Sequence, residues 1–199
     1  DAVKLGHDKS ICGGCACSRS TDGARKRALQ ALQGVVQDPT CYVLPWQAAA
    51  SIWAAQRAST RVAPEREWCD LCAGHVVRGG AYGDPAAVPV RFWRGVRAMH
   101  PTRLLAYTHA WPLKRVRRYR DVCLASCTDR DRELALRAGW KTYTVTRQAL
   151  PQSGACLCPA DRQSPHYGAA TCRTCGLCDA MIQSAHILTH PHGQQASSY

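Results

Sequence analysis

Six short runs of apolar or β-branched residues recur along the chain: CYVL from Cys41, HVVRGGAY from His75, TRLLAYTH from Thr102, DVCLAS from Asp121, KTYTVT from Lys141 and HILTHPH from His186. Runs of this length and composition predict strands. Most are separated by segments that suit helices. PWQAAASIWAAQRA is rich in alanine, with Pro45 placed for a first turn. DPAAVPVRFWRGVRAM sets Phe92, Trp93, Val96 and Met99 on one arc and Arg91, Arg94 and Arg97 on the other. WPLKRVRRYR groups Leu113, Val116 and Tyr119 opposite its cations, and DRDRELALRAGW opens on an N-capping Asp129 or Asp131 and stops at Gly139. Strand and helix alternate, which predicts an α/β fold: a parallel sheet with helical crossovers, open or curled into a barrel. Only the stretch from Arg57 to Asp70 and the Cys-rich stretch after Leu150 break the rhythm.

A chain of 199 residues is the size of one domain with its own core. Residues 1–40 form a polar, Cys-rich N-terminal segment around ICGGCACSRSTDG, followed by a short helical stretch, ARKRALQALQGVV. The α/β core spans 41–193 and includes a second Cys-rich segment, 156–178; residues 194–199 are a tail.

In parallel α/β folds chemistry collects at the C-terminal ends of strands. Those ends here are GDP with Asp84, YTH with His109, CLASC with Ser126, and THPH with His190 and His192. Asp84, His109 and Ser126 are the candidate catalytic residues, with His190 beside them and Cys12, Cys15 and Cys41 nearby. Each has an ordinary alternative. Gly-Asp-Pro is also a good helix start with Asp84 as N-cap, and a strand-end histidine is commonly just hydrogen-bonded.

Thirteen cysteines far exceed what packing needs. The count is odd, no apolar segment opens at Asp1, and several pairs sit two residues apart, so metal ligation is favoured over a disulfide framework, and with it a reducing cytoplasm. In TCRTCGLCDA, Cys172, Cys175 and Cys178 recur at three-residue intervals. That spacing lets thiolates converge on a cubane [4Fe-4S] cluster, with Cys158, followed by Pro159, as fourth ligand; Cys156 is its alternate. Four thiolates also make an ordinary zinc site. A second cluster, or zinc, is expected on Cys12, Cys15 and Cys41, completed by Cys17 or Cys123. Cys69 and Cys72 form a further pair that joins the N-terminal site or stays free, and Cys127 reads as a small core residue.

The formal charge of +12 permits contact with a polyanion. Five cations fall within seven residues, Lys114, Arg115, Arg117, Arg118 and Arg120, beside Trp111 and Tyr119, a row that would lie along the phosphates of a nucleic acid or simply face solvent. No run approaches transmembrane length, so no membrane is expected.

At CYV, GAYGDPAAVP, YTHAW, CLAS, AGW and CPA…CRTCGLC, from roughly Leu5 to Gly193, the chain resembles an uncharacterised family of phage and plasmid proteins, the "gene product eighty-eight"-like group. The resemblance implies a mobile-element protein of the bacterial cytoplasm whose cysteines are motif positions. A weaker similarity is to radical-SAM enzymes, which fold as partial six-stranded barrels and bind SAM at a Gly-Gly-Glu-Pro motif after the second strand, where this chain has GGAYGDP. Their Cys-x₃-Cys-x₂-Cys loop has no counterpart here. That likeness implies a partial (βα)₆ TIM-like barrel and SAM as a further ligand. Two functions compete: an iron–sulfur protein performing redox or radical-type chemistry at the strand ends, supplied by an electron donor, and a metal-stabilised nucleic-acid-binding protein without catalysis.

Overall fold

The computed structural model describes residues 64–81, 83–99, 103–148, 154–181 and 186–191, with isolated helical positions between 51 and 58. Cys12, Cys15, Cys17, Cys41 and His192, and the expected elements ARKRALQALQGVV and CYVL, lie outside the described residues; PWQAAASIWAAQRA reaches them only at those isolated positions.

Six strands form one sheet: β1 (Val76–Gly79), β2 (Arg103–Thr108), β3 (Leu124–Thr128), β4 (Thr142–Val145), β5 (Ala155–Leu157) and β6 (His186–Thr189). Their order is β1-β2-β3-β4-β6-β5 and every pairing is parallel. Five of these strands are expected from the apolar runs, and those five follow one another across the sheet in chain order. The sixth, β5, lies in the Cys-rich stretch where the pattern predicts none. Its three residues, Ala155, Cys156 and Leu157, are held by pairing with His186, Ile187 and Leu188.

Registered partners in a parallel sheet share a face. One face carries Leu104, Ala106, Ala125 and Cys127, which pack with Trp93, Trp111, Val116, Tyr119 and Trp140 into the core cluster. Helix α2 (Val90–Ala98) supplies Trp93, a 3₁₀ turn over Lys114–Tyr119 supplies Val116 and Tyr119, and Trp111 and Trp140 come from the segments before that turn and after helix α3 (Arg132–Arg137). Close approach is needed at β1, where a Cβ on Gly79 would stand 3.2 Å from the Trp93 ring.

Four local expectations are corrected. Helix α1 (Glu65–Cys72) occupies part of the stretch that reads as irregular. The segment from Asp84 to Met99 is not one helix: a 3₁₀ turn over Pro85–Ala87 ends at extended Val88, and α2 starts after Pro89, because proline disfavours helical geometry in the residue before it. The basic segment is 3₁₀ rather than α; Leu113, Val116 and Tyr119 lie three apart, and side chains three apart eclipse in a 3₁₀ turn. Asp131 holds the N-cap position of α3, yet its carboxylate turns back to the Thr128 N–H at 2.6 Å and hydroxyl at 3.0 Å instead of capping.

Candidate functional site

The sheet's second face carries Leu105 and Tyr107 of β2, Leu124 and Ser126 of β3, Tyr143 of β4, and Ile187 and Thr189 of β6, by strand alternation and register. The rings of Tyr107 and Tyr143 meet with centroids 4.6 Å apart and a 49° tilt. One strand, β3, lies between their backbones, so the rings lean together across it.

The Cys-rich segment is tied to this sheet at several points. Asp179, fully buried, accepts the Leu104 N–H at 3.1 Å and the Met181 N–H at 3.0 Å, and it pairs with the Arg97 guanidinium of α2. It also forms an isolated antiparallel bridge with Leu105. Lys141 Nζ donates to the Ala180 carbonyl at 2.6 Å, and Arg103 Nη1 donates to the Thr174 carbonyl at 3.3 Å. These anchors hold the segment at the beginnings of β2 and β4.

Within the segment, one helical turn, α4 (Cys172–Cys175), starts at Thr171, whose N–H donates to Thr174 Oγ1 at 3.1 Å. Gly176 ends it at φ 68°, the left-handed region glycine enters without strain. A Cβ there would also lie 2.9 Å from Arg103 Nη1. The glycine thus lets the chain turn between Cys175 and Cys178 while Arg103 grips the preceding turn. On the other side, Cys158 follows β5, and the Cys158 N–H donates to the Leu188 carbonyl at 2.8 Å.

The four thiols Cys158, Cys172, Cys175 and Cys178 converge electrostatically. Burial pushes the Cys178 thiol up to about 12; Cys158, Cys172 and Cys175 add to the rise, and the Tyr107 hydroxyl, donating to its sulfur, opposes it. Burial raises Cys158 too, with Cys172 and Cys175 contributing, while N–H donors of Ala160 and Asp161 favour its thiolate. Tyr107 is raised by burial and then by Cys178. Tyr143 is raised by burial, hydrogen-bonds Thr189, and feels Cys158, Cys178 and Cys172. Two phenols on the second face therefore feel the thiols of the Cys-rich segment. Among the described residues, no group of three or more His, Cys, Asp or Glu side chains is gathered tightly enough to hold a metal ion.

Cys156, the alternate to Cys158, places its Sγ 3.4 Å from the Leu157 carbonyl. Cys123 and Cys127 are buried in the core cluster on the opposite face, where burial raises both thiols. Cys123 thus packs as Cys127 does, as a small core side chain. Cys69 and Cys72 both belong to α1. Cys123, Cys127, Cys156, Cys158, Cys172, Cys175 and Cys178 are in no disulfide.

The strand-end candidates separate. Asp84 is buried and accepts three hydrogen bonds, each 2.8 Å long, from the Ala86 N–H, the Thr108 hydroxyl and the His109 N–H. Its carboxylate caps the Pro85–Ala87 turn and ties it to the end of β2. Burial raises its pKa, and nearby His109 opposes the rise. His109 also lies near Asp131, whose pKa burial raises. Ser126 is on the second face, level with Tyr143, and its carbonyl accepts the Trp111 indole N–H at 3.2 Å. His190 pairs through Nδ1 with Asp161 at 3.1 Å.

Asp161 itself escapes sequence reasoning, yet it organises the β5–β6 end. It accepts the His190 N–H at 2.5 Å, the Thr189 hydroxyl at 3.1 Å and the Gln163 N–H at 2.9 Å. Burial raises its pKa, but these bonds together with the His190 ring outweigh it and hold the carboxyl below the usual range. Tyr107, Tyr143 and Asp179 escape too. An acidic residue three after Cys158 and another directly after Cys178 are the available signals.

On the far side of the molecule, Lys114, Arg115, Arg117 and Arg118 are exposed. Arg120 is not part of that row: it bonds the Ala138 carbonyl and stacks 5.7 Å from the Trp140 ring centre. Among the described residues no helix is long and apolar enough to cross a membrane. No family model matches the chain, and no curated protein or solved structure matches it.

Proposed function

We infer that the chain is an iron–sulfur protein whose cluster is held by Cys158, Cys172, Cys175 and Cys178. One observation carries the reading: the thiols of Cys158 and Cys178, twenty residues apart in sequence, are both raised by burial, with Cys172 and Cys175 adding to each rise. Thiolates brought near one another repel, and a cationic core relieves that repulsion. The N–H donors on Cys158 and the phenol on Cys178 are of the kind that support cluster thiolates. A single tetrahedral ion, with Zn–S near 2.3 Å, demands sulfurs about 3.8 Å apart. A cubane cluster takes them wider.

When bound, the cluster supplies one-electron transfer. The residues around it exclude water and position the thiolates: Tyr107 and Tyr143 cover the sheet side, and Asp179 fixes the chain beside Cys178. A redox or radical-type role at the strand C-terminal face, an electron donor as partner, SAM as a further ligand, a partial (βα)₆ barrel and a phage or plasmid origin in a bacterial cytoplasm extend the same proposal. Iron and acid-labile sulfide on anaerobically purified protein, with the visible spectrum, test it. About four of each per chain support one cluster and about eight support a second on the N-terminal cysteines; zinc without sulfide overturns the reading.

A second reading, a zinc- or cluster-stabilised nucleic-acid-binding protein without catalysis, draws on the exposed row Lys114, Arg115, Arg117 and Arg118. With Arg120 turned inward, four cations remain for phosphates. Affinity for DNA or RNA that falls steeply with salt supports it; absent or salt-insensitive binding removes it.

A further inference from the structure

We propose that the exposed basic turn, Lys114, Arg115, Arg117 and Arg118, binds the phosphate backbone of a double-stranded nucleic acid and reads no bases. The proposal rests on the nucleic-acid reading and deepens it, and it is independent of what the cysteines hold.

Proteins that bind an unpaired strand set aromatic faces beside their cations, and the bases stack on them. Here the two aromatic side chains that flank the row are both withdrawn. Trp111 is 5% exposed and donates its indole N–H to the Ser126 carbonyl at 3.2 Å. Tyr119 is 3% exposed, donates its hydroxyl to the Val88 carbonyl at 2.8 Å, and has the Arg118 guanidinium 5.6 Å from its ring centre. Among the described residues the exposed large aromatics are Trp68 of α1 and Tyr167 of the Cys-rich segment, and neither is on this turn. The turn offers a ligand charge without a stacking face, which suits a partner whose bases are already stacked and paired with one another.

The cations also stand on a fixed base. Val116 and Tyr119 pack into the core cluster, and Arg94 of α2 donates to the Arg118 carbonyl at 3.1 Å. Side chains three apart eclipse in a 3₁₀ turn, so Lys114 is in line with Arg117 and Arg115 with Arg118, each pair separated by about 6 Å along the axis. The carboxylate that follows the row, Asp121, is engaged by Arg94 at 2.6 Å. A rigid group of cations matches the regular phosphates of a duplex.

The test uses the full chain and fluorescence anisotropy, with short DNA and RNA duplexes of two unrelated sequences and with their separated strands. The expected result is equal affinity for the two sequences and weaker binding of every single strand. Duplex affinity should fall about 10²-fold between about 50 and 200 mM salt, as four phosphate contacts require. An Arg115→Gln, Arg117→Gln double variant should roughly halve the slope of log affinity against log salt, at about 0.9 for each contact removed. Arg162→Gln, which takes an exposed cation from the Cys-rich segment, should leave the slope parental. Duplex DNA bound without duplex RNA, or the reverse, supports the proposal and names the duplex. Single strands bound as tightly as duplexes, a preference between the two sequences, or a parental slope in the double variant each overturns it while leaving the nucleic-acid reading in place. Binding to none of the probes brings down both.

Discussion

The carboxylate of Asp179 pairs with the Arg97 guanidinium across 82 residues of sequence, at a site where Asp179 has no exposure. Removing one partner of a buried pair leaves the other charge uncompensated. Asp179→Ala is expected to destabilise the fold by about 3–5 kcal/mol. Urea unfolding followed by tryptophan fluorescence reads the loss. An Arg97→Met, Asp179→Leu double variant should recover much of it, since apolar replacement of a whole buried pair is often near neutral.

Asp84 makes a different prediction, because its three donors account for the carboxylate. Asp84→Ala strands the N–H groups of Ala86 and His109 and the hydroxyl of Thr108, at about 1–3 kcal/mol for each donor left buried and unsatisfied. Thermal unfolding should show it, with metal content per chain unchanged. Loss of metal in a variant that still folds would mean that Asp84 serves the site directly.

Substituting the cysteines one at a time separates ligands from bystanders. Cys158→Ser, Cys172→Ser, Cys175→Ser and Cys178→Ser should each abolish stable cluster incorporation. Cys156→Ser, Cys123→Ala and Cys127→Ala should retain it. Iron per chain is the measurement, and retention in Cys158→Ser together with loss in Cys156→Ser would exchange those two assignments.

Acid should weaken the β4–β6–β5 side of the sheet in two steps. His186 accepts the Thr142 N–H through Nδ1 at 3.3 Å; burial, then Arg132 and Lys141, lower its pKa. The unfolded chain therefore binds the proton first. Stability from neutral His186 is complete above about pH 6.5 and declines as pH falls through its folded value. Asp161 is also lowered in the folded state, so its contribution is complete above about pH 3.9 and is lost only below that. Denaturant midpoints measured from pH 7 to pH 3 should fall in both windows. His186→Gln should flatten the upper one and Asp161→Asn the lower.

Much of the sheet was legible because five strands are dense in β-branched and apolar residues and are separated by turns. Strand β5 was not, since Ala-Cys-Leu has no alternation to detect and owes its conformation to β6. Helix α1 hid for a related reason: Trp68 and Leu71 are about half or more exposed, so its apolar residues do not mark a buried stripe. Spacing three apart at Leu113, Val116 and Tyr119 suits both helix types, and the period could not choose. The quartet was legible as ligand spacing. Its surroundings were not, because Tyr107, Asp161 and Asp179 act on partners between 28 and 82 residues away. The sequence also offered Asp84 in two roles, and the hydrogen bonds favour the cap.

The sheet order carries a consequence for how the chain is made. Strand β6 emerges from the ribosome last of the six, yet it takes its place between β4 and β5. Until it arrives, β5 has no neighbour among the described strands, and Cys158 at its end has no fixed position. The cysteine quartet is accordingly the last part of the described fold to assemble during synthesis. Nascent chains stalled before His186 should present its thiols separately, open to alkylation, while β1 to β4 have already paired.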